Sequence, residues 1–209
     1  MQRIADLEEE IQGYKKNWEN LTDQMRPDSM TINQAIYHYI HARVVYNQVF
    51  GPNNYILLDK GSKDGIAEDM AVASVNGIVG VVMNVSPNFS RVIPVLNAEY
   101  HPSCMIKKTR FFGSLFWDGK DPRYTHLSRL PSHTSSAIGD TIITSSYSAT
   151  FPEGVPVGVV EDAFKQKNEE YNSLKVRLFT DFSTLSEVFI IQNTLQKEQK
   201  EIEKGGSEN

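Results

Sequence analysis

The chain has 209 residues, 40% hydrophobic and 22% charged; this composition can bury a core and excludes a disordered chain. The net charge of −5 and the absence of a Lys/Arg run argue against a nucleic-acid surface. The single cysteine, Cys104, excludes an intrachain disulfide and a cysteine-based zinc site. No apolar run reaches the roughly 18 residues that a membrane-spanning helix needs.

A heptad stripe runs through residues 1–25, where large apolar side chains recur at alternating spacings of three and four residues. These are Ile4, Leu7, Ile11, Tyr14, Trp18, Leu21 and Met25. The positions beside the stripe are almost all polar, which favours a coiled coil over an amphipathic helix packed on its own domain. We therefore predict a coiled-coil stalk over residues 1–26, with the seven residues as its dimerisation seam and Pro27 ending the helix.

Short β-type segments follow one another after the stalk, and no long helical period interrupts them. We expect a mostly β fold of two small barrels, over residues 30–105 and 106–193, with the terminal strands open to exchange between them. Asn76-Gly77 lies between two β-prone runs and predicts a hairpin with a type I′ turn. The charged residues 194–209 lack an apolar face and are expected to form a disordered tail.

A weak internal repeat supports the tandem arrangement. The run Val79-Gly80-Val81-Val82 recurs as Val157-Gly158-Val159-Val160, and similar strands and turns surround both runs in the same order. Glycine inside a strand tends to mark a bulge or a sharp bend, and a small barrel needs such bends at its corners.

Tandem barrels are also the architecture of chymotrypsin-like proteases, and His101, Asp121 and Ser145 follow the order of their catalytic residues. However, Gly139-Asp140 is followed by Thr-Ile-Ile, which is typical of a buried strand and not of a nucleophile turn. Ser145 has no flanking glycine, so its hydroxyl is expected to satisfy local backbone groups.

The remaining polar residues do not form a recognisable site. His38 and His41 would point to opposite faces of a strand, so they cannot share a metal. The glycine-rich residues 61–65 lack the spacing of a phosphate-binding loop and are expected to form a turn. We therefore predict no catalytic, cofactor or metal site, and this pattern favours a binding or scaffolding protein.

An aromatic cluster is the strongest candidate for a partner surface. Phe111, Phe112, Phe116 and Trp117 lie within seven residues. Because side chains alternate along a strand, one or two of them can face solvent while the others form the core of the second barrel. Unpaired barrel edges or apolar grooves would also receive partner segments, by strand addition or by docking of one hydrophobic side chain.

Four stretches resemble the MreC family of rod shape-determining proteins, in the form found in Bacteroidetes-like bacteria. They read HARVVYNQVFGPNNYILLDKGSKDGI, MAVASVNGIVGVVMNVSPNFSRVIPVLN, GSLFWDGKD and GDTIITSSYSATFPEGVPVGVV. The resemblance covers about residues 37–193 together with the coiled coil before them. Where the family usually has Thr-Ser-Gly, this chain has Thr144-Ser145-Ser146, which affects only the local turn.

The resemblance implies a periplasmic coiled coil followed by two barrels arranged as in chymotrypsin but without its catalytic residues. It also implies an N-terminal anchor, missing from this chain, and a location at the periplasmic face of the cytoplasmic membrane. Members form parallel homodimers that can assemble further. The implied partners are a class B penicillin-binding transpeptidase, polytopic membrane proteins and an actin-like cytoskeleton.

The function that the resemblance implies is a non-enzymatic scaffold, which organises peptidoglycan-synthesis enzymes of the cell-elongation machinery and maintains rod shape. Two other functions stay open at this point. One is a trypsin-like serine hydrolase. The other is a periplasmic adaptor of an export system, which also joins a coiled coil to small β domains but usually carries both arms of a helical hairpin in one chain.

Overall fold

A computed structural model describes residues 36–49, 51, 53–131, 134, 136–147, 150–164 and 171–205. The predicted stalk, residues 1–26, lies outside these described residues. The strands are β1 (Tyr37–Gln48), β2 (Tyr55–Leu58), β3 (Ala71–Ala73), β4 (Ile78–Val85), β5 (Ser90–Pro94), β6 (Ser103–Ile106), β7 (Phe112–Phe116), β8 (Tyr124–Pro131), β9 (Thr141–Thr144), β10 (Pro156–Phe164), β11 (Tyr171–Leu178) and β12 (Glu187–Asn193). One α-helix, α1 (Gln196–Gly205), follows them.

The strands close into two six-stranded barrels. The first has the order β1-β12-β3-β4-β5-β2, and the second has the order β10-β11-β8-β7-β6-β9. The neighbouring strands pair antiparallel. The prediction of a mostly β fold with two small barrels is therefore confirmed.

The division of strands between the barrels differs from the expected ranges. β12 lies in the first barrel, between β1 and β3, although residues 106–193 were expected to form the second. β6 begins at Ser103 and belongs to the second barrel, so the expected boundary after residue 105 falls inside a strand. The sequence analysis allowed a terminal strand of one barrel to complete the other. The structure shows this exchange: β12 lies between β1 and β3 and closes the first barrel.

β8 was not among the predicted strands. Only Thr125, Leu127 and Leu130 of this strand are buried, and histidine, serine and arginine stand between them. Arg129 has a positive φ of 62°, which interrupts the alternation. This polar strand is held in place by pairing with both β7 and β11, a tertiary effect that outweighs its weak β propensity.

The internal repeat is confirmed as a structural repeat. β3-β4-β5 in the first barrel and β9-β10-β11 in the second are both runs of neighbouring antiparallel strands. The pairing register shifts between Val82 and Asn84 in β4 and between Val160 and Asp162 in β10. Each shift falls directly after the Val-Gly-Val-Val run, so the two copies carry equivalent bulges.

The glycine of each copy is required by the close approach of a neighbouring strand. A Cβ added at Gly80 would lie 2.0 Å from the carbonyl oxygen of Ile93 on β5. A Cβ added at Gly158 would lie 2.2 Å from the carbonyl oxygen of Arg177 on β11. Both distances are far below van der Waals contact, so a larger residue at either position would push two strands apart.

The Asn76-Gly77 hairpin is present, but its turn is not the predicted type I′. A type I′ turn needs a positive φ at both central residues, and neither Asn76 nor Gly77 has one. The Ser74 N–H donates to the Gly77 carbonyl at 2.7 Å. The Ser74 hydroxyl accepts hydrogen bonds from both N–H groups of the pair. Gly77 meets a different need, since a Cβ there would lie 2.5 Å from the Pro156 carbonyl of the second barrel.

Hydrogen bonds between buried groups join the two barrels near this turn. The Thr180 hydroxyl lies 3.0 Å from the Ser74 hydroxyl and donates to the Ile78 carbonyl at 3.0 Å. Buried apolar residues of both barrels also form one continuous cluster, which includes Ile56 and Ile78 from the first and Leu127 and Ile142 from the second.

Within the expected disordered tail, Gln196–Gly205 instead form α1, while residues 206–209 lie outside the described residues. This segment consists mostly of glutamine, lysine and glutamate, which favour helix even without an apolar face. The Gln196 side-chain amide donates to the Asp69 carbonyl at 2.9 Å, which holds the start of the helix to the first barrel. In the described part of the chain, no helix has the length and apolar character that crossing a membrane requires.

Candidate interaction surface

The predicted aromatic cluster is divided by the alternation of β7. Trp117 is only 3% exposed and donates its indole N–H to the Asp121 carbonyl at 3.1 Å. Phe111 is half-buried and packs against the core. These two residues therefore belong to the interior of the second barrel, whereas Phe112 and Phe116 lie on the outer side of the strand.

Phe112 pairs with an aromatic residue that the sequence did not indicate. Its side chain is 50% exposed, and its ring centroid lies 4.6 Å from that of Tyr147, which is 74% exposed. Tyr147 stands in a run of serines after β9, so no apolar periodicity marked it. The two adjoining exposed rings form an apolar patch on the surface of the second barrel.

The other outward residue of β7, Phe116, is flanked by two histidines. Its ring stacks on His126 of β8 with centroids 5.1 Å apart, and His101 meets its edge at 6.5 Å. His126 lies 3.6 Å from the Asp118 carboxylate. We call Phe112, Phe116 and Tyr147 the aromatic face.

Charged residues of both signs surround the aromatic face. Arg110 and Glu153 form an ion pair at 2.6 Å, and Lys107 and Lys108 are exposed in the turn that precedes β7. Asp118 lies 3.5 Å from the Lys120 ammonium in the turn that follows β7. An apolar centre with a rim of exposed charges is the usual anatomy of a protein–protein interface.

The residues of the possible serine hydrolase do not come together. Ser145 is fully buried, and its hydroxyl donates to the Ser103 hydroxyl at 2.7 Å. His101 is exposed and contacts Phe116, while Asp121 binds Arg123. Because Ser145 is enclosed and bonded to another serine, it cannot attack an external substrate.

The other polar residues considered in the sequence take structural roles. Asp64 accepts the Gly61 N–H at 3.1 Å and closes a short 3-10 turn over Ser62–Asp64, as expected of a turn. His41 lies 3.5 Å from Glu187 and against the ring of Phe189. Among the residues that the structure describes, no three His, Cys, Asp or Glu side chains are placed to hold a metal ion.

Comparison with known proteins agrees with this architecture. Residues 44–192 match the family model described as rod shape-determining protein MreC, barrel core. The cell shape-determining protein MreC of Listeria monocytogenes is 24% identical over 201 residues, which cover 94% of this chain and 66% of that protein. The chain spans about a third to two thirds of the length of the curated relatives it matches.

Solved structures show the same fold. The MreC structure from Listeria monocytogenes superposes with a TM-score of 0.71 at 24% identity and covers 92% of each chain. A complex between penicillin-binding protein PBP2 and MreC from Helicobacter pylori matches with a TM-score of 0.61 at 16% identity, covering 75% of this chain and 98% of that one. Since the matched range contains nearly all the strands of both barrels, this chain belongs to the MreC family of rod shape-determining proteins.

Proposed function

We propose that this chain is the periplasmic part of a non-enzymatic scaffold, which organises peptidoglycan-synthesis enzymes of the cell-elongation machinery to maintain rod shape. The observation that carries the proposal is the match of both barrels to the MreC barrel core. The enclosed Ser145 removes the support for the serine hydrolase alternative. The export adaptor is not favoured, since family and fold both point to MreC.

A class B penicillin-binding transpeptidase is the partner that we propose for the barrels. The structural neighbour from Helicobacter pylori is a complex of MreC with PBP2, and it shares the fold of this chain. Polytopic membrane proteins and an actin-like cytoskeleton complete the proposed assembly. The proposed location is the periplasmic face of the cytoplasmic membrane.

We assign transpeptidase contact to the aromatic face. Exposed aromatic rings are enriched among the residues that dominate binding energy, because they bury a large area at a small cost in side-chain entropy. Phe112 and Tyr147 are already in contact, so little ordering is required when a partner covers them. Of the four residues predicted from the sequence, Phe112 and Phe116 fit this role, while Phe111 and Trp117 support them from below.

The stalk is proposed to pair two chains in parallel through Ile4, Leu7, Ile11, Tyr14, Trp18, Leu21 and Met25. Heptad spacing alone supports this proposal, since these residues lie outside those that the structure describes. A parallel dimer would present two aromatic faces, so one scaffold would hold two enzyme copies.

The proposal is tested by measuring binding of the transpeptidase periplasmic domain, from the same bacterium, to the immobilised chain. Phe112→Ala with Tyr147→Ala is expected to weaken binding about thirtyfold, since truncating an interface anchor typically costs about 2 kcal/mol or more. Phe89→Ala is the matched control, because Phe89 is a similarly exposed aromatic residue on the first barrel. Equal binding by the double variant and the wild type would contradict the assignment to the aromatic face.

A further inference from the structure

β1 is longer than the strand that pairs with it on one side. β1 has 12 residues and β12 has 7, and their register ends at Arg43 opposite Glu187. One more bond follows, from the Val44 N–H to the Ser186 carbonyl at 2.8 Å. Beyond it, in the described part of the chain, residues 46–48 pair with β2 alone. The end of β1 therefore has one hydrogen-bonding edge without a neighbouring strand.

A cleft of about 320 Å³ lies beside this edge. One side is formed by the end of β1, and the other by the segment that leads from β11 back to β12. Val44, Val49, Phe182 and Leu185 supply the apolar part of the lining, beside the polar Asn47 and Ser183. This volume lies at the lower end of the range for ligand sites, which suits one or two apolar side chains.

A bulge directs two consecutive apolar residues toward the cleft. The register of β1 on β2 shifts between Val44 and Tyr46, so Val45 is an extra residue. Val45 and Tyr46 are 49% and 48% exposed, and both line the cleft. Regular alternation would have exposed only one of them.

Tyr46 is held in place before any partner binds. Its ring stacks on Tyr55 with centroids 5.2 Å apart, and the Arg91 guanidinium lies 4.3 Å from the centre of the Tyr55 ring. The far side of the cleft is also fixed, because the Asn47 side-chain amide donates to the Phe182 carbonyl at 2.7 Å. A site held in this way loses little entropy on binding.

One acidic residue, Asp181, directly adjoins the cleft lining in the sequence. Asp181 precedes two of the lining residues and accepts hydrogen bonds from the Ser183 hydroxyl and N–H and from the Thr184 hydroxyl. These bonds, above all the one from the Ser183 hydroxyl, lower the pKa of Asp181, so its carboxylate is ionised at neutral pH. Arg43, the cation of this part of β1, is already paired with Asp59 at 2.9 Å.

We propose that an extended peptide segment of another protein adds as a short strand to the free edge of β1 and seats an apolar side chain in the cleft. A strand edge is satisfied by main-chain N–H and C=O groups, which is why the occupant is a polypeptide. The ionised carboxylate of Asp181 favours lysine or arginine beside the apolar residue. This site lies on the first barrel and does not depend on transpeptidase binding to the aromatic face of the second.

The test is a titration of the ¹⁵N-labelled chain with the peptide acetyl-Lys-Val-Leu-Val-Lys-amide, followed by backbone amide shifts. The largest shifts are expected at residues 45–48 and 182–185. A second peptide carries N-methyl groups on the leucine and the following valine, one of which must face β1 in an extended strand. It is expected to bind about tenfold more weakly, because each lost hydrogen bond accounts for up to about tenfold.

Three further comparisons separate the contributions of the apolar side chain, the peptide charge and the cleft itself to peptide binding. Replacing the central leucine by aspartate should abolish binding, and replacing both lysines by glutamate should weaken it severalfold. The protein variant Val45→Asn should bind about tenfold more weakly, whereas Val75→Asn, a matched change at an exposed valine outside the cleft, should bind as the wild type does.

The proposal is overturned if millimolar peptide leaves the amides of residues 45–48 unmoved, or if the N-methylated peptide binds equally well. It is also overturned if raising the concentration of the chain alone shifts those amides, because a second copy would then occupy the cleft. None of these results would bear on the aromatic face, whose test uses a different protein partner.

Discussion

Asp121 and Arg123, in the turn between β7 and β8, form a two-point ion pair. Arg123 Nη2 lies 2.7 Å from Asp121 Oδ2, and Nε donates to Oδ1 at 3.0 Å. Hydrogen bonds from the Arg123 side chain lower the pKa of Asp121 to about 2. The sequence offered Asp121 as the acid of a catalytic triad, but its carboxylate is occupied by this arginine. Because the Arg123 side chain is largely exposed and the Asp121 side chain is partly exposed, the pair adds little to stability.

In the Asp121→Asn variant, the pH-dependent stabilisation that the ionised Asp121 carboxylate gives the fold is expected to be absent. A lowered native pKa stabilises the fold above the unfolded-state pKa of about 3.9, and this contribution is lost as the pH falls toward 2. The wild type should therefore have a slightly higher Tm than the variant above pH 4, and the gap should close between pH 4 and pH 2.

Thermal unfolding followed by circular dichroism across that pH range measures the gap. Arg123→Gln serves as the companion variant and should show the same narrowing relative to the wild type. A difference in Tm that stays constant from pH 4 to pH 2 would show that the ion pair is not responsible.

Among the strands, the two copies of the repeat show why glycine is needed inside β4 and β10. The neighbouring strand carbonyl occupies the position of a Cβ at Gly80 and again at Gly158. Each glycine is followed three residues later by a bulge that bends the strand. Close approach and bending together let six short strands close into a barrel.

Gly80→Ala and Gly158→Ala are each expected to destabilise the protein by about 2–4 kcal/mol, because the new Cβ would overlap a backbone atom that cannot rotate away. Gly119→Ala is the control: its φ of 80° is unfavourable for alanine, but the space around it is open. It should cost only about 1 kcal/mol.

Urea unfolding measures these differences in the free energy of unfolding. They are calculated from the shift in the midpoint urea concentration, provided that the dependence of the free energy on urea stays the same. The equivalence of the two repeat copies predicts similar losses for Gly80→Ala and Gly158→Ala. If either variant unfolded at the wild-type urea concentration, crowding by the adjacent strand would not be the reason for glycine.

At the scale of the whole molecule, the two barrels depend on one another. The chain builds most of the first barrel, passes through all six strands of the second, and returns so that β12 closes the first. Thr180, on the return path, bonds to Ser74 and Ile78 of the first barrel. The first barrel therefore lacks one strand until β12 has been added. For this reason a single boundary after residue 105 cannot separate the two barrels.

The oligomeric state is expected to depend on the stalk. Charged substitutions at Leu7, Ile11 and Leu21 together should convert a dimer into a folded monomer, because a charge at a seam position cannot be buried without a partner. Sedimentation measures the mass, and the barrels should keep their native circular dichroism.

Control substitutions at Gln12, Asn17 and Asn20, which lie outside the stripe, should leave the dimer intact when they are changed to glutamate. A seam variant that still sediments as a dimer would show that the barrels, and not the stalk, hold the two chains together.

The sequence predicted most of the elements but not the less regular ones. YILL and EVFIIQN match β2 and β12 residue for residue, because alternation and β-branched residues are local signals. β8 was missed since its polar residues hide the alternation, and α1 was missed since helix propensity without an apolar face is a weak signal. Of the aromatic face, Phe112 and Phe116 were anticipated, but Tyr147 carries no periodic signal in its serine-rich loop.

By itself, the sequence determined the fold class, the tandem repeat, the heptad stripe and the resemblance to MreC, since each of these depends on the order of neighbouring residues. Only the tertiary structure decided that β12 closes the first barrel, that Ser145 is enclosed, and that Phe112 meets Tyr147 on the surface. Among the described residues, it also left one edge at the end of β1 without a neighbouring strand. These features arise from contacts between residues distant in sequence, where the packing of the whole chain outweighs the preference of any one segment.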